Sequence, residues 1–191
     1  LEYSQKMAPT GLRKVLHLNW PIIILITSVA SVGFLMLYSI AGGNLDTWAR
    51  PQMERFGVGM VLLFIVGMVP IWFWRSMSAT AYLVAFALLL VVEFFGSVGM
   101  GAQRWIDLGF IRLQPSEMMK FTLVMVLAAY YGWLDPRKVS SPLYVLIPVL
   151  LIVTPTILVL MQPNLGTSLM LILAGATVMF VAGVHWAYFA T

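Results

Sequence analysis

Between Pro21 and Ala41 the chain runs 21 residues without a charged side chain. Wound as a helix at about 1.5 Å per residue, that stretch reaches about 31 Å, the thickness of a bilayer's hydrocarbon core. Similar runs follow at about Phe56 to Trp74, Ala79 to Gly96, Pro115 to Trp133, Leu143 to Met161 and Leu165 to Phe189. Only helices or closed barrels satisfy the backbone in lipid, and these runs are continuously apolar where barrel strands would alternate. The sequence therefore predicts an all-α, polytopic transmembrane helix bundle with six spans. A soluble single core is excluded, since charged residues make up 9% of the chain against about 25% in soluble domains.

Other classes fall on the same composition. The cations are scattered singly or in adjacent pairs between apolar runs, so there is no patch for nucleic acid. With no cysteine, neither a disulfide framework nor a thiolate metal site exists. The first run is too long for a signal peptide and five more follow. Trp20, Tyr38, Trp48, Trp72, Trp74, Trp133 and Trp186 fall at or near the run ends, where amphipathic rings prefer the headgroup level. A cytoplasmic N-terminus places Lys6, Arg13, Lys14, Arg75, Arg137 and Lys138 inside and Arg50, Arg55, Arg104 and Arg112 outside, a modest bias of the usual sign. The loops after helices one, three and five then face outward. We read residues 1–191 as one membrane domain, with a cytoplasmic segment at 1–20 and an outer loop at 97–114. The chain starts at Leu1 and stops at Thr191 directly after a helix, which reads as part of a longer protein.

Three ionisable groups stand in or beside apolar runs: Glu93, Glu117 and Lys120. A charge at the bilayer centre costs about 2.5 to 3.5 kcal/mol, so such groups face a partner or a polar cavity. All three fall in the outer third of the membrane. Gln114-Pro115-Ser116-Glu117 has a helix-start pattern, with Pro suited to the first position and Glu117 placed to bond back to free amides. Lys120 lies three residues beyond Glu117 and shares its helix face. The pair is either a cap with a snorkelling lysine or a charged ledge on an outward cavity. The preceding stretch, Gly96 to Leu113, carries Arg104, Asp107 and Arg112 among four glycines. It matches no dinucleotide or phosphate-loop spacing, and its apolar residues Trp105, Ile106, Leu108, Phe110 and Ile111 predict that it packs back onto the bundle. Gln162-Pro163-Asn164-Leu165-Gly166-Thr167-Ser168 repeats the Gln-Pro turn before a helix. Pro148 and Pro155 predict a bend in helix five. Gly175 and Gly183 read as close helix packing, and His17 and His185 as interfacial side chains.

The strings GAQRWIDLGFIRLQPSEMMK (Gly101 to Lys120) and QPNLGTS (Gln162 to Ser168) resemble the SEDS family of bacterial polytopic membrane proteins, which includes RodA, FtsW and SpoVE, and most of all its rod-shape branch. The resemblance implies a ten-span fold of which this chain holds about half, in the bacterial cytoplasmic membrane. It also implies a peptidoglycan glycosyltransferase that polymerises lipid II at the membrane's outer face. The implied partners are a class B penicillin-binding protein, which is a transpeptidase, and other membrane proteins of the elongation complex. Carried over, Arg104, Gln114, Ser116, Glu117, Lys120, Gln162 and Thr167 line the substrate cavity, while Gly101, Trp105, Pro115, Pro163 and Gly166 build the motifs. Asn164 departs from the family's usual aspartate. The family's essential aspartate lies in an outer loop after the seventh span, beyond Thr191.

The implied chemistry is attack of a sugar 4-hydroxyl on an anomeric carbon with lipid pyrophosphate leaving. A carboxylate would take the proton, and cations or a divalent metal, Mg or Mn, would neutralise the phosphates. On this reading Arg104 and Lys120, with Arg112 beside them, meet the pyrophosphate and Glu117 orients Lys120. Two other classes stay open: a lipid II flippase, and a non-catalytic scaffold of the elongation or division complex. A flippase route should set polar groups near the midplane on several helices, whereas here they gather in the outer third.

Overall fold

The structure, a computed structural model, describes residues 13–16, 18–95, 97–99, 102–107 and 112–189. His17, Leu108, Phe110 and Ile111, like residues 1–12, lie outside the described residues. Six long helices carry the fold: α1 (Trp20–Ile40), α2 (Ala49–Met68), α3 (Ile71–Phe95), α4 (Pro115–Trp133), α5 (Pro142–Met161) and α6 (Leu165–Val181). A single helical turn, Arg13–Leu16, precedes them, and 3-10 turns follow α4 at Pro136–Lys138 and α6 at Trp186–Phe189. Four of the six, α1, α2, α3 and α5, are long and apolar enough to cross a membrane. The 17 residues of α6 make a shorter apolar helix, and Glu117 with Lys120 lowers the hydropathy of α4's first turns.

Several boundaries differ from the sequence reading, each for a local reason. Helix two spans Ala49–Met68, not Phe56 to Trp74, and helix three begins at Ile71, not Ala79. Val69 takes an extended backbone (φ −72°, ψ 133°) before Pro70, as the residue preceding proline is pushed out of the α region. The charged residues Arg50, Glu54 and Arg55 belong to the first two turns of α2, where Arg50 pairs with Asp46 at 3.0 Å and with Glu54 at 3.3 Å. Helix six stops at Val181 instead of Phe189. Gly183 follows at φ +94° with open space where a Cβ would stand, so it serves the turn that ends the helix and not close packing.

The chain divides at Pro70 into two compact units. In the first, α1 packs on α2, with Phe34 edge-on to Phe56 and Trp20 near Phe64. The second holds α3 to α6 and a small antiparallel sheet, β1 (Ser97–Gly99), β2 (Ala102–Asp107) and β3 (Arg112–Leu113), in the order β1-β2-β3. This sheet lies in the 97–114 segment, where the sequence predicts an outer loop and no strands. Its β2 lies against α3 and α4, with Trp105 and Ile106 half-buried, so the segment does pack back onto the helices.

The core of this unit is a set of one-sided stripes. Tyr82, Ala85 and Leu89 on α3 meet Met119, Leu123 and Leu127 on α4, while Val145, Ile152 and Val159 on α5 meet Leu171 and Met179 on α6. Spacings of three and four residues on α3 and α4, and of seven and eight on α5 and α6, keep each stripe on one face. Pro148 and Pro155 are also fully buried on α5. Gly175 sits so near α5 that an added Cβ would lie 2.5 Å from Ile152, which is the close approach its position predicts. Tyr82 is buried and donates to the Leu151 carbonyl on α5 at 2.9 Å. Tyr82→Phe is expected to lower stability by about 0.5–1 kcal/mol, read as a lower unfolding midpoint of the protein in bicelles.

Candidate functional site: the start of helix α4

Proline's fixed φ and missing donor suit a helix start, and α4 opens at Pro115 after Gln114 in extended conformation (φ −109°, ψ 104°). The expected side-chain cap does not form at Gln114; the contact there is backbone only, from the Glu117 amide to the Gln114 carbonyl at 3.0 Å. The Glu117 carboxylate instead accepts from Lys120 Nζ at 2.9 Å. An ammonium one helical turn away competes better for the carboxylate than a neutral amide does. Lys120 is 24% and Glu117 50% exposed, so the lysine lies over the protein while the carboxylate stands further out. Lys120 Nζ also approaches Met170 Sδ on α6 at 4.0 Å. That contact brings the α4 pair to the first turns of α6, the helix entered by the second Gln-Pro turn.

The second turn is built from its own polar groups. Asn164 caps α6, accepting from the Thr167 amide at 3.4 Å through its side-chain oxygen, while Ser168 Oγ donates to the Asn164 carbonyl at 2.9 Å. An aspartate would cap in the same way, so asparagine keeps the acceptor and gives up only the charge. Gln162 is buried and donates to the Leu89 carbonyl of α3 at 3.4 Å, tying this turn to the third helix. Thr167 and Ser168 are buried beside it. Pro163 and Gly166 are exposed, and a Cβ on Gly166 would meet nothing. Ser116 is 1% exposed and its hydroxyl has no partner among the described residues.

Of the sequence-derived residues, the structure joins Glu117 with Lys120, Lys120 with α6, and Gln162 with α3. Arg104 lies in β2 beside Trp105, and Arg112 pairs with Asp107 in the β2–β3 register; the side chains of Arg104 and Arg112 and the whole of Gly101 lie outside the described residues. Glu93 is half-buried near the end of α3. Sequence reasoning missed Met170, the Leu89 carbonyl and Ser168. Only Ser168 left a trace, as a polar residue inside an apolar helix start. Three cavities of about 300 to 400 Å³ lie at the first turns of α2, between α3 and α4 at the far end from Lys120, and between α3 and α5; neither Glu117 nor Lys120 lines any of these three. Among the described residues no three His, Asp or Glu gather to hold a metal, and Glu117 is already taken by Lys120. These residues do not by themselves fit a divalent cation.

Comparison with known proteins converges on one group. The sequence model of the cell cycle protein family named for FtsW, RodA and SpoVE matches residues 18–191. The peptidoglycan glycosyltransferase MrdB of Escherichia coli strain K12 is 30% identical over 172 residues, covering 89% of this chain and 45% of its own. A probable peptidoglycan glycosyltransferase FtsW of Escherichia coli O6:H1 is 34% identical over 170 residues, covering 85% of this chain and 41% of its own. The crystal structure of the rod shape determining protein RodA of Thermus thermophilus superposes with a TM-score of 0.76 at 27% identity, covering 89% of this chain and 55% of that one. A peptidoglycan synthase complex that coordinates polymerization and crosslinking gives 0.78 at 27% identity, covering 89% and 49%. The chain thus spans about half the length of the curated relatives it matches. Because the matching stretch takes in both Gln-Pro turns and all six helices, likeness of sequence and likeness of fold describe the same residues: the chain belongs to the FtsW/RodA/SpoVE family of cell cycle proteins.

Proposed function

We propose that the whole protein is a peptidoglycan glycosyltransferase of the bacterial cytoplasmic membrane, a multi-pass enzyme of cell elongation that polymerises lipid II at the outer face. The observation that carries this reading is the Lys120 ammonium, held by Glu117 at 2.9 Å at the junction of α4 and α6, in a family whose relatives are named for that activity. A class B penicillin-binding protein is the fitting partner, since a structural relative is a complex of polymerization with crosslinking.

The reaction forms one bond, from a sugar 4-hydroxyl oxygen to an anomeric carbon, and breaks the bond from that carbon to the lipid pyrophosphate. The hydroxyl proton passes to a carboxylate base, expected beyond Thr191. Pyrophosphate leaves well once its charge is met, so fixed cations matter more than a general acid. Lys120 suits this role because its carboxylate partner at 2.9 Å holds it in place, and its low exposure strengthens its field. Arg104 on the neighbouring strand is the second cation, with Arg112 a third.

Liposomes carrying the full-length protein test the assignment. Lipid II confined to the outer-face leaflet is expected to become polymer, with labelled lipid in the opposite leaflet staying protected from dithionite. Exposure of that protected label without polymer overturns the enzyme in favour of a flippase. The 191-residue segment alone is expected to make no glycan in the same assay.

A further inference from the structure

At the opposite end of α4 from Lys120, a second feature has no part in that reaction. Ile71 and Trp74 of α3 face Val124, Ala128 and Ala129 of α4 across a cavity of about 300 Å³, with Arg75 in its wall. Alanines on the α4 side leave a slot whose walls, Arg75 apart, are apolar. The Arg75 guanidinium donates through Nη2 to the Gly132 carbonyl at 3.0 Å and lies 5.3 Å over the Trp133 ring. Both contacts fix its head at the level where α3 begins and α4 ends. A guanidinium has five N–H donors, and among the described residues this one uses a single acceptor.

The surroundings favour negative charge. The slot reaches the first turn of the 25-residue α3, whose unpaired amides form the positive end of the helix dipole. Arg137 and Lys138 follow α4 within six residues of Gly132 and are exposed; with Arg75 they outnumber the nearby Asp135 carboxylate, which accepts from the Arg137 amide at 2.9 Å. Trp72 and Trp133 place this end at headgroup depth.

We propose that an anionic diacyl phospholipid binds here, one acyl chain in the α3–α4 slot and its phosphodiester on Arg75. A free phosphate would leave the apolar slot unfilled, and a zwitterionic lipid would bring its own cation into a positive neighbourhood. The site is independent of the polymerase reading.

Native mass spectrometry of delipidated full-length protein, titrated with phosphatidylglycerol or phosphatidylcholine of matched chains, tests it. The first phosphatidylglycerol is expected to bind about fivefold more tightly than the first phosphatidylcholine, as one cation at the surface allows. Arg75→Lys keeps that preference and Arg75→Gln removes it; a preference that is absent in the native protein, or unmoved by Arg75→Gln, overturns the site. Glycerol phosphate at the lipid's own concentration is expected to displace nothing, and displacement would mean a phosphate site instead of a lipid site. If Arg75→Gln does not fold, Ala128→Phe fills the slot with the guanidinium in place. It is expected to release the first tightly held lipid of either headgroup, and retention would refute the proposal.

Discussion

Lys120→Ala in the full-length protein is expected to lower lipid II polymerisation by about 100-fold or more, the usual loss when one preorganised charge or donor is removed from a developing anion. The loss should fall mainly on kcat, because the ammonium meets charge that grows as the pyrophosphate departs. Arg104→Ala should behave alike. Glu117→Ala should cost less than Lys120→Ala, since the carboxylate acts only by holding the lysine at 2.9 Å, and Lys120→Arg should recover part of the rate. A lysine that merely snorkels over α6 would give another pattern: lower stability in detergent with the turnover of the folded fraction unchanged. Polymerisation that survives Lys120→Ala at the native rate would remove the cation from the mechanism.

The second large effect concerns packing. Gly175→Leu is expected to separate α5 from α6 and leave little folded protein, and Gly175→Ala to cost about 1–3 kcal/mol, the range for overfilling a packed core. A Cβ at this glycine meets Ile152 at 2.5 Å through two of its carbons and at 3.3 Å through a third, so Ile152 would have to shift or leave the χ1 rotamer that a helix strongly prefers. Alanine's better helix propensity, about 1 kcal/mol, offsets part of this but not all. The decisive measurement is a double-mutant cycle. Gly175→Ala with Ile152→Ala should be more stable than the sum of the two single losses, because the second change removes the atoms that the first one strikes. Simple additivity would mean that the two helices do not meet at this point.

The two residues also show how differently positions were legible. A charged pair three residues apart in an apolar run announces itself, because ionised groups in lipid need partners. Gly175 was legible for the same kind of reason, a small residue where helices approach. Gly183 carried the same letter and a different role, since φ +94° is a property of the turn and not of the residue's surroundings in sequence. The strands of the 97–114 segment were hidden because their pairing depends on a reversal between Asp107 and Arg112 that no alternating pattern marks. The ends of α2 and α3 were displaced because charge was taken as the limit of a helix. Arg50, Glu54 and Arg75 are nevertheless helical, as backbone hydrogen bonds continue past the hydrocarbon edge into the headgroup layer.

Composition and run length alone dictate the solvent: runs of about twenty uncharged residues must be helical in lipid, because nothing there but the chain's own carbonyls can take its amides. The sequence also marks where charge is tolerated, at the start of α4. Which face of each helix turns inward was settled only by the tertiary structure. Leu123 is buried on α4 while Phe121 and Val124 beside it are exposed, though all three are apolar. Lipid tails are as apolar as leucine, so hydrophobicity has no preference between bilayer and neighbouring helix. Shape makes the choice, through the notch at Gly175, the Tyr82 hydroxyl that finds the Leu151 carbonyl, and the Gln162 amide that finds Leu89. Those complementarities exist only once the helices stand side by side.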